Sequence, residues 1–220
     1  MRRFGLVLGL AASLAAGSAF AQSTLTATNA GFLSTSGVLS GAPNAIYFTG
    51  ASGGQYRSYM TFSIPVSGTA FTSAVLNLNV ATVVGGPNDL EVYDVTSNIL
   101  ADPPATVFSD LESGVLFGTA TGLNGGETIQ ITLNPAGLAA VNAARGSNIS
   151  FGFVNSTNTL GSDGIFGASS GSTPRELILT PTAVPPPAPV PTLSEWAMIL
   201  FAVLMAGGAA LYLQRRRQVA

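Results

Sequence analysis

The chain has 220 residues, 47% hydrophobic and only 8% charged, a balance that excludes a disordered polar chain and leaves too few cations for nucleic-acid binding. It holds no His and no Cys, which excludes imidazole bases, thiol nucleophiles, disulfides, structural zinc and Cys- or His-ligated haem or iron–sulfur centres. The formal charge of −2 conceals a segregated molecule: between Gln22 and Pro191 three arginines stand against nine carboxylates, a net of −6, while five arginines lie at the two ends.

Met1-Arg2-Arg3, the uncharged run from Phe4 to Ala16 and the A-x-A sequence Ala19-Phe20-Ala21 have the charged start, short apolar stretch and cleavage site of a secretory signal peptide. The apolar run is shorter than the roughly 20 residues that cross a bilayer. Residues 1–21 are therefore read as a signal peptide cleaved after Ala21, and residues 22–182 as an exported domain. Without Cys, that domain is held by its core alone.

Tyr56 to Ile64 alternates, with Met60, Phe62 and Ile64 on one face and Arg57, Tyr59, Thr61 and Ser63 on the other, the period of a half-buried strand. Ala74, Leu76, Leu78 and Val80 repeat the pattern against Asn77 and Asn79, as do Ile129, Ile131 and Leu133 against Thr128, Gln130 and Thr132. Further strands are predicted over 31–39, 45–48, 90–95, 115–118, 149–154, 164–167 and 176–180. Turn signals come from Gly53-Gly54, from Gly85-Gly86 with Pro87-Asn88, and from Gly125-Gly126. About ten short strands with turns at this spacing predict an all-β, antiparallel β-sandwich. One helix is predicted to interrupt it, capped by Asn134, begun at Pro135 and ended near Gly146, with Leu138 and Val141 on its apolar stripe. It is expected to plug one end of the sandwich.

Residues 183–191 contain five prolines, a composition that favours a semi-rigid polyproline II spacer reaching roughly 28 Å. Beyond it, Trp196 to Leu213 runs 18 residues without a charge. As a helix this stretch is about 27 Å long, close to the ~30 Å hydrocarbon core of a bilayer. Trp196 and Tyr212 stand at its edges, and Arg215, Arg216 and Arg217 follow at once, so the positive-inside rule places the C-terminus in the cytoplasm and the domain outside.

Val190-Pro191-Thr192-Leu193, two further residues, then Trp196-Ala197, followed by the apolar span and the Arg cluster across 190–217, resembles the IPTL-type C-terminal sorting segment of Gram-negative surface proteins. Val190 stands where that motif has Ile and Ala197 where it has Gly, while Pro191, Thr192, Leu193 and Trp196 are in register. The resemblance implies recognition by an exosortase-type transpeptidase in the inner membrane, a transient tether, removal of the span, and delivery to the cell surface or extracellular matrix. Within the domain, Arg57 to Ile64, Thr72 to Leu78, Val92 to Val95, Ser109 to Gly114, Leu138 to Ala144 and Arg175-Glu176-Leu177 resemble jelly-roll modules of secreted bacterial surface proteins. That likeness implies a non-catalytic domain and transfers no catalytic residue.

Three groups are candidate sites. Asp89, Glu91 and Asp94 offer the oxygen ligands that Ca²⁺ takes, but strand alternation sends 89 and 91 to one face and 94 to the other, so they are read as solvated turn charges. Asp110 and Glu112, on a predicted loop near Glu127, are the residue types of a glycosidase acid–base pair. With no Trp in the domain to form a sugar platform, they are read as exposed carboxylates. Tyr56, Tyr59 and Tyr93 are the rings placed to stack on a sugar, and Tyr59, on the polar face of its strand, is the single best carbohydrate contact. The expected function is therefore a non-enzymatic exported surface or matrix protein needing no cofactor, with a carbohydrate-binding module for matrix polysaccharide as the alternative.

Overall fold

The computed structural model describes residues 22–37, 39–41, 48–50, 55–66, 69–157, 163–167, 175–183 and 193–218. The predicted signal peptide, most of the Pro-rich spacer, and Val190, Pro191 and Thr192 of the motif lie outside the described residues. In chain order the elements are β1 (Ser23–Thr26), β2 (Asn29–Ser34), β3 (Leu39–Gly41), β4 (Phe48–Gly50), β5 (Tyr56–Ser63), β6 (Phe71–Val80), β7 (Thr82–Val84), β8 (Asn88–Asp94), α1 (Pro104–Ser113), β9 (Leu116–Leu123), β10 (Glu127–Thr132), α2 (Pro135–Ala143), β11 (Asn148–Asn155), β12 (Gly164–Phe166), β13 (Arg175–Pro181) and α3 (Leu193–Arg217). The strands, α1 and α2 belong to one compact unit, Ala19–Val184, and α3 belongs to another.

Among the described residues the strands form two antiparallel sheets. The smaller has the order β1-β13-β6-β10; the larger has nine strands along β7-β12-β4-β5-β11-β8-β9, with β2 joining β5 and β3 joining β2. The period-2 pattern explains how they pack. In β6, Ala74, Leu76, Leu78 and Val80 point one way and are fully buried; Leu177 and Leu179 of β13 lie beside them, and Met60, Phe62, Val92, Phe151 and Phe153 of the larger sheet face them. Phe62 and Phe151 meet at 5.9 Å between ring centroids, and Phe117 closes edge-on against Phe151 at 6.1 Å. This is the antiparallel sandwich that the alternation predicts, jelly-roll-like as the resemblance implies.

Helix α2 forms as expected: the Asn134 side chain accepts from the Gly137 amide at 3.0 Å, Pro135 opens the first turn, and Gly146 follows at φ +79°. Val141 enters the main core. Asn142 exchanges two hydrogen bonds with the backbone of Phe71, accepting from its N–H at 2.8 Å and donating to its carbonyl at 3.0 Å, which satisfies the start of β6 beyond the last rung with β10.

The single-helix expectation is corrected. The segment holding Asp110 and Glu112 is not a loop but the helix α1, and its sequence hides it. Pro103 stands at the N-cap with no side-chain cap bond, and the only apolar repeat is Val107 with Leu111, one turn apart, flanked by Phe108. What holds α1 is tertiary: Val107 and Leu111 bury completely against Leu33, Tyr59 and Ile99, a second small core on the outer side of the larger sheet.

Candidate functional site

Helix α3 is 25 residues long, about 37 Å by helical rise. The 18-residue apolar stretch within Glu195–Arg217 has a mean hydropathy of 2.0, and none of it is buried. A helix apolar on every side does not fold in water without a partner; length and composition suit a bilayer. Trp196 and Tyr212 are both more than half exposed near its ends, and the Arg216 guanidinium lies 5.7 Å from the Tyr212 ring centroid, a cation–π contact at the basic edge. Glu195 in the first turn and Arg215 to Arg217 in the last match the helix dipole.

The other candidate region is the outer face of the larger sheet. Antiparallel register sets its rows. Leu33 pairs with Arg57 across β2 and β5, and Val154 with Glu91 across β11 and β8; the next row is Gly31, Tyr59, Gly152 and Tyr93; the next is Asn29, Thr61 and Ser150. Helix α1 lies over the middle row because Gly152 leaves room for it: a Cβ there would stand 2.9 Å from Leu111 Cα.

That lid overturns the reading of Tyr59 as a carbohydrate contact. Its strand position is outward, as the alternation predicts, but the residue is 0% exposed, enclosed by Leu33, Ile99, Val107 and Leu111. Its buried hydroxyl has no partner in good hydrogen-bond geometry. Burial raises its pKa, partly offset by the neighbouring Asn29 side chain. A sheet face reads as solvent-facing only when nothing packs on it.

The carboxylates are committed to the scaffold. Asp110 accepts from the backbone N–H of Thr96 and of Ser97, both at 2.8 Å, and from both of their hydroxyls, at 3.1 and 2.7 Å. Burial pushes its pKa up, but the bonds from Ser97 and Thr96 outweigh that and hold it below the ordinary value. Glu112 pairs with Arg57, so the two candidates of an acid–base pair hold different neighbours. Asp89 Oδ1 accepts from Gly122 N–H at 2.7 Å, and Asp94 accepts from Val115 N–H. Glu91 accepts from the Tyr93 hydroxyl at 2.6 Å. Among the described residues no group of three or more acidic side chains is placed to hold a metal ion.

Beside α1 the outer face opens on two sides. One opening is a groove of about 810 Å³ lined by uncharged residues, among them Asn29, Thr61, Thr96, Asn98 and Ser150. The other is a cleft of about 250 Å³ walled by Gln55, Tyr56, Arg57, Glu91, Glu112 and Asn155. Sequence reasoning singled out Tyr56 but not the cleft, because Arg57, Glu91 and Glu112 come from β5, β8 and α1 and share no spacing.

Residues 188–217 match the family model described as the IPTL-CTERM motif. The match supports a C-terminal sorting segment, and with α3 this fits a membrane-anchored precursor. Comparison with curated protein sequences finds no match. Among solved structures, the CBM22-1 and GH10 modules of the Clostridium thermocellum endo-1,4-beta-D-xylanase 10B, complexed with xylohexaose, are similar at 11% identity with a TM-score of 0.31; the alignment covers 77% of this chain and 29% of that one.

Proposed function

We propose that the protein is a non-enzymatic passenger, exported after loss of residues 1–21. It is tethered in the inner membrane by α3 with the Arg cluster in the cytoplasm and cut free by an exosortase-type transpeptidase, and the domain of residues 22–182 is delivered with its Pro-rich spacer to the cell surface or extracellular matrix. The observation that carries this reading is the match of residues 188–217 to the sorting motif, joined to a fully exposed apolar helix that ends in three arginines. A permanent anchor needs only an apolar span and a charge cluster. Those requirements leave Pro191-Thr192-Leu193 without a role, whereas a processing enzyme uses them: Pro191 keeps the chain extended, and Trp196 fixes the depth of the span, so Thr192-Leu193 is presented at a constant height.

The non-catalytic part rests on chemistry. The domain lacks His and Cys, and Asp89, Asp94 and Asp110 each commit one carboxylate oxygen to backbone N–H groups. The test is an intact mass of the surface fraction from the native host. Wild type is expected to lack Trp196 to Ala220, and Pro191→Ala combined with Thr192→Ala to accumulate as a full-length membrane species. A wild-type product that retains α3 makes this an ordinary tail-anchored protein and overturns the reading.

A further inference from the structure

We infer that Asn124, in the turn between β9 and β10, is a site of self-modification, where the backbone nitrogen of Gly125 displaces the side-chain amide and leaves aspartate or isoaspartate in its place. The step needs only water. The Gly125 nitrogen, giving up its proton, attacks Asn124 Cγ; the new C–N bond closes a succinimide ring, the Cγ–Nδ2 bond breaks, and Nδ2 leaves with a proton as ammonia. Water then opens the ring. Opening at Cγ gives aspartate, and opening at the main-chain carbonyl gives isoaspartate, with the chain running through Cγ.

The reaction needs a following residue that lets Cγ approach its nitrogen, and a setting that leaves that nitrogen unengaged. Asn124 is the only Asn in the chain followed by Gly. Both residues are exposed, and among the described residues nothing accepts from the Gly125 N–H. The Asn124 side chain makes one hydrogen bond, from Nδ2 to the Gly122 carbonyl at 3.1 Å within the same turn. Packing keeps the labile pair together: a Cβ at Gly125 would stand 3.1 Å from both Thr82 Cα and Val83 N. Asn155-Ser156 is the contrast. Asn155 is 3% exposed, its Oδ1 accepts from the Thr157 N–H at 3.1 Å and its Nδ2 donates to Asn88 at 3.3 Å, while the Ser156 N–H is taken by the Asp89 carbonyl at 3.0 Å. Neither reacting group there is available.

The product bears on the link between the two sheets, because β9 belongs to the larger and β10 to the smaller. A carboxylate at position 124 gives up the donation to Gly122 and joins two others: Glu127, which accepts from the Asn124 N–H at 2.6 Å, and Asp89, which accepts from the Gly122 N–H at 2.7 Å. Like charges gathered at one turn weaken it. Isoaspartate also adds an atom to the main chain ahead of Gly126, whose N–H bonds to the Val80 carbonyl at 2.8 Å. The turn therefore loosens with the age of the molecule, whether or not the tail is processed.

The test incubates the full chain, solubilised in detergent, in mildly alkaline buffer made with heavy-oxygen water, and follows each Asn-containing peptide by mass, folded and in denaturant. Asn124 is expected to exchange its amide for labelled oxygen in the folded protein at a rate within about tenfold of that in denaturant, whereas folding should slow Asn155 by about a hundredfold or more. As conversion proceeds, the Gly126 amide should lose hydrogen-exchange protection before the amides of β6. Asn124→Ser should gain no label at that position and keep its Gly126 protection constant on storage. A folded-state rate at Asn124 slowed by more than about tenfold, conversion of Asn155 keeping pace with it, or Gly126 protection unmoved by conversion each overturns the inference.

Discussion

The two apolar cores of the domain lie on opposite faces of the same sheet and are built by different rules. The inner core is a lattice of alternating positions on β5, β6, β11 and β13, each strand contributing every second residue to one continuous layer. The outer core gathers Leu33, Tyr59, Ile99, Val107 and Leu111 from two strands, a loop and a helix. A periodic core survives the loss of one contact through its neighbours; an assembled one depends on each hinge that lets its pieces meet.

The largest effect is expected at the inner core. Phe62→Asp buries an unpaired charge at a fully enclosed position and should cost about 4 kcal/mol or more, abolishing a cooperative melt, while Thr61→Asp on the other face should cost under about 1 kcal/mol. Equal melts for the two would show that the faces are not distinct. Next comes the hinge of the outer core. Gly152→Ala places a methyl against the Leu111 backbone and should cost about 1–3 kcal/mol, with α1 amides losing hydrogen-exchange protection before those of β6. Uniform loss of protection across both would mean that the two cores are one cooperative unit.

A smaller effect belongs to the carboxylate that ties the loop of Ile99 to α1. Asp110→Asn replaces an acceptor of two backbone N–H groups and should cost about 1 kcal/mol near neutral pH. Because the folded-state pKa of Asp110 is depressed, its contribution is complete above the ordinary carboxylate pKa and is lost as pH falls through the lower folded value. Denaturant melts of wild type and variant should therefore converge below about pH 4; a constant gap would place the effect elsewhere. The smallest is Tyr59→Phe. Its buried hydroxyl lacks a well-formed bond, so removal should leave the melting temperature unchanged or slightly raised, and a drop of several degrees would reveal a partner for that hydroxyl.

This contrast also marks what was legible in the sequence. Met60, Phe62 and Ile64, or Leu76, Leu78 and Val80, announce strand and face together, because a two-residue period leaves one arrangement that buries them. Asn134 and Pro135 announce α2 by local chemistry alone. Helix α1 has neither signal: two prolines where a cap would stand and a single buried pair at i, i+4. Missing it exposed Tyr59 on paper and put Asp110 and Glu112 on a loop. The first and seventh strands also escaped. Ser23–Thr26 carries one apolar residue, Leu25, and Thr82–Val84 is only three residues long. The apolar helix and the sorting motif of the tail were legible because their requirements are linear: an uninterrupted apolar run, edge aromatics and a terminal charge cluster.

The strand order of the smaller sheet has one more consequence, in time rather than in space. β13, the last of the described strands in chain order, is not at the edge but inside, with β1 on one flank and β6 on the other. Until Arg175 to Pro181 have emerged, β1 lacks its partner among the described strands, and Leu76 and Leu78 lack the neighbour that completes their layer. Such a long wait between first and last partners makes for late, all-or-none closure. A chain stopped short of Arg175 loses the middle of a sheet rather than its margin, and a chain still being synthesised keeps that sheet open until Arg175 to Pro181 have followed.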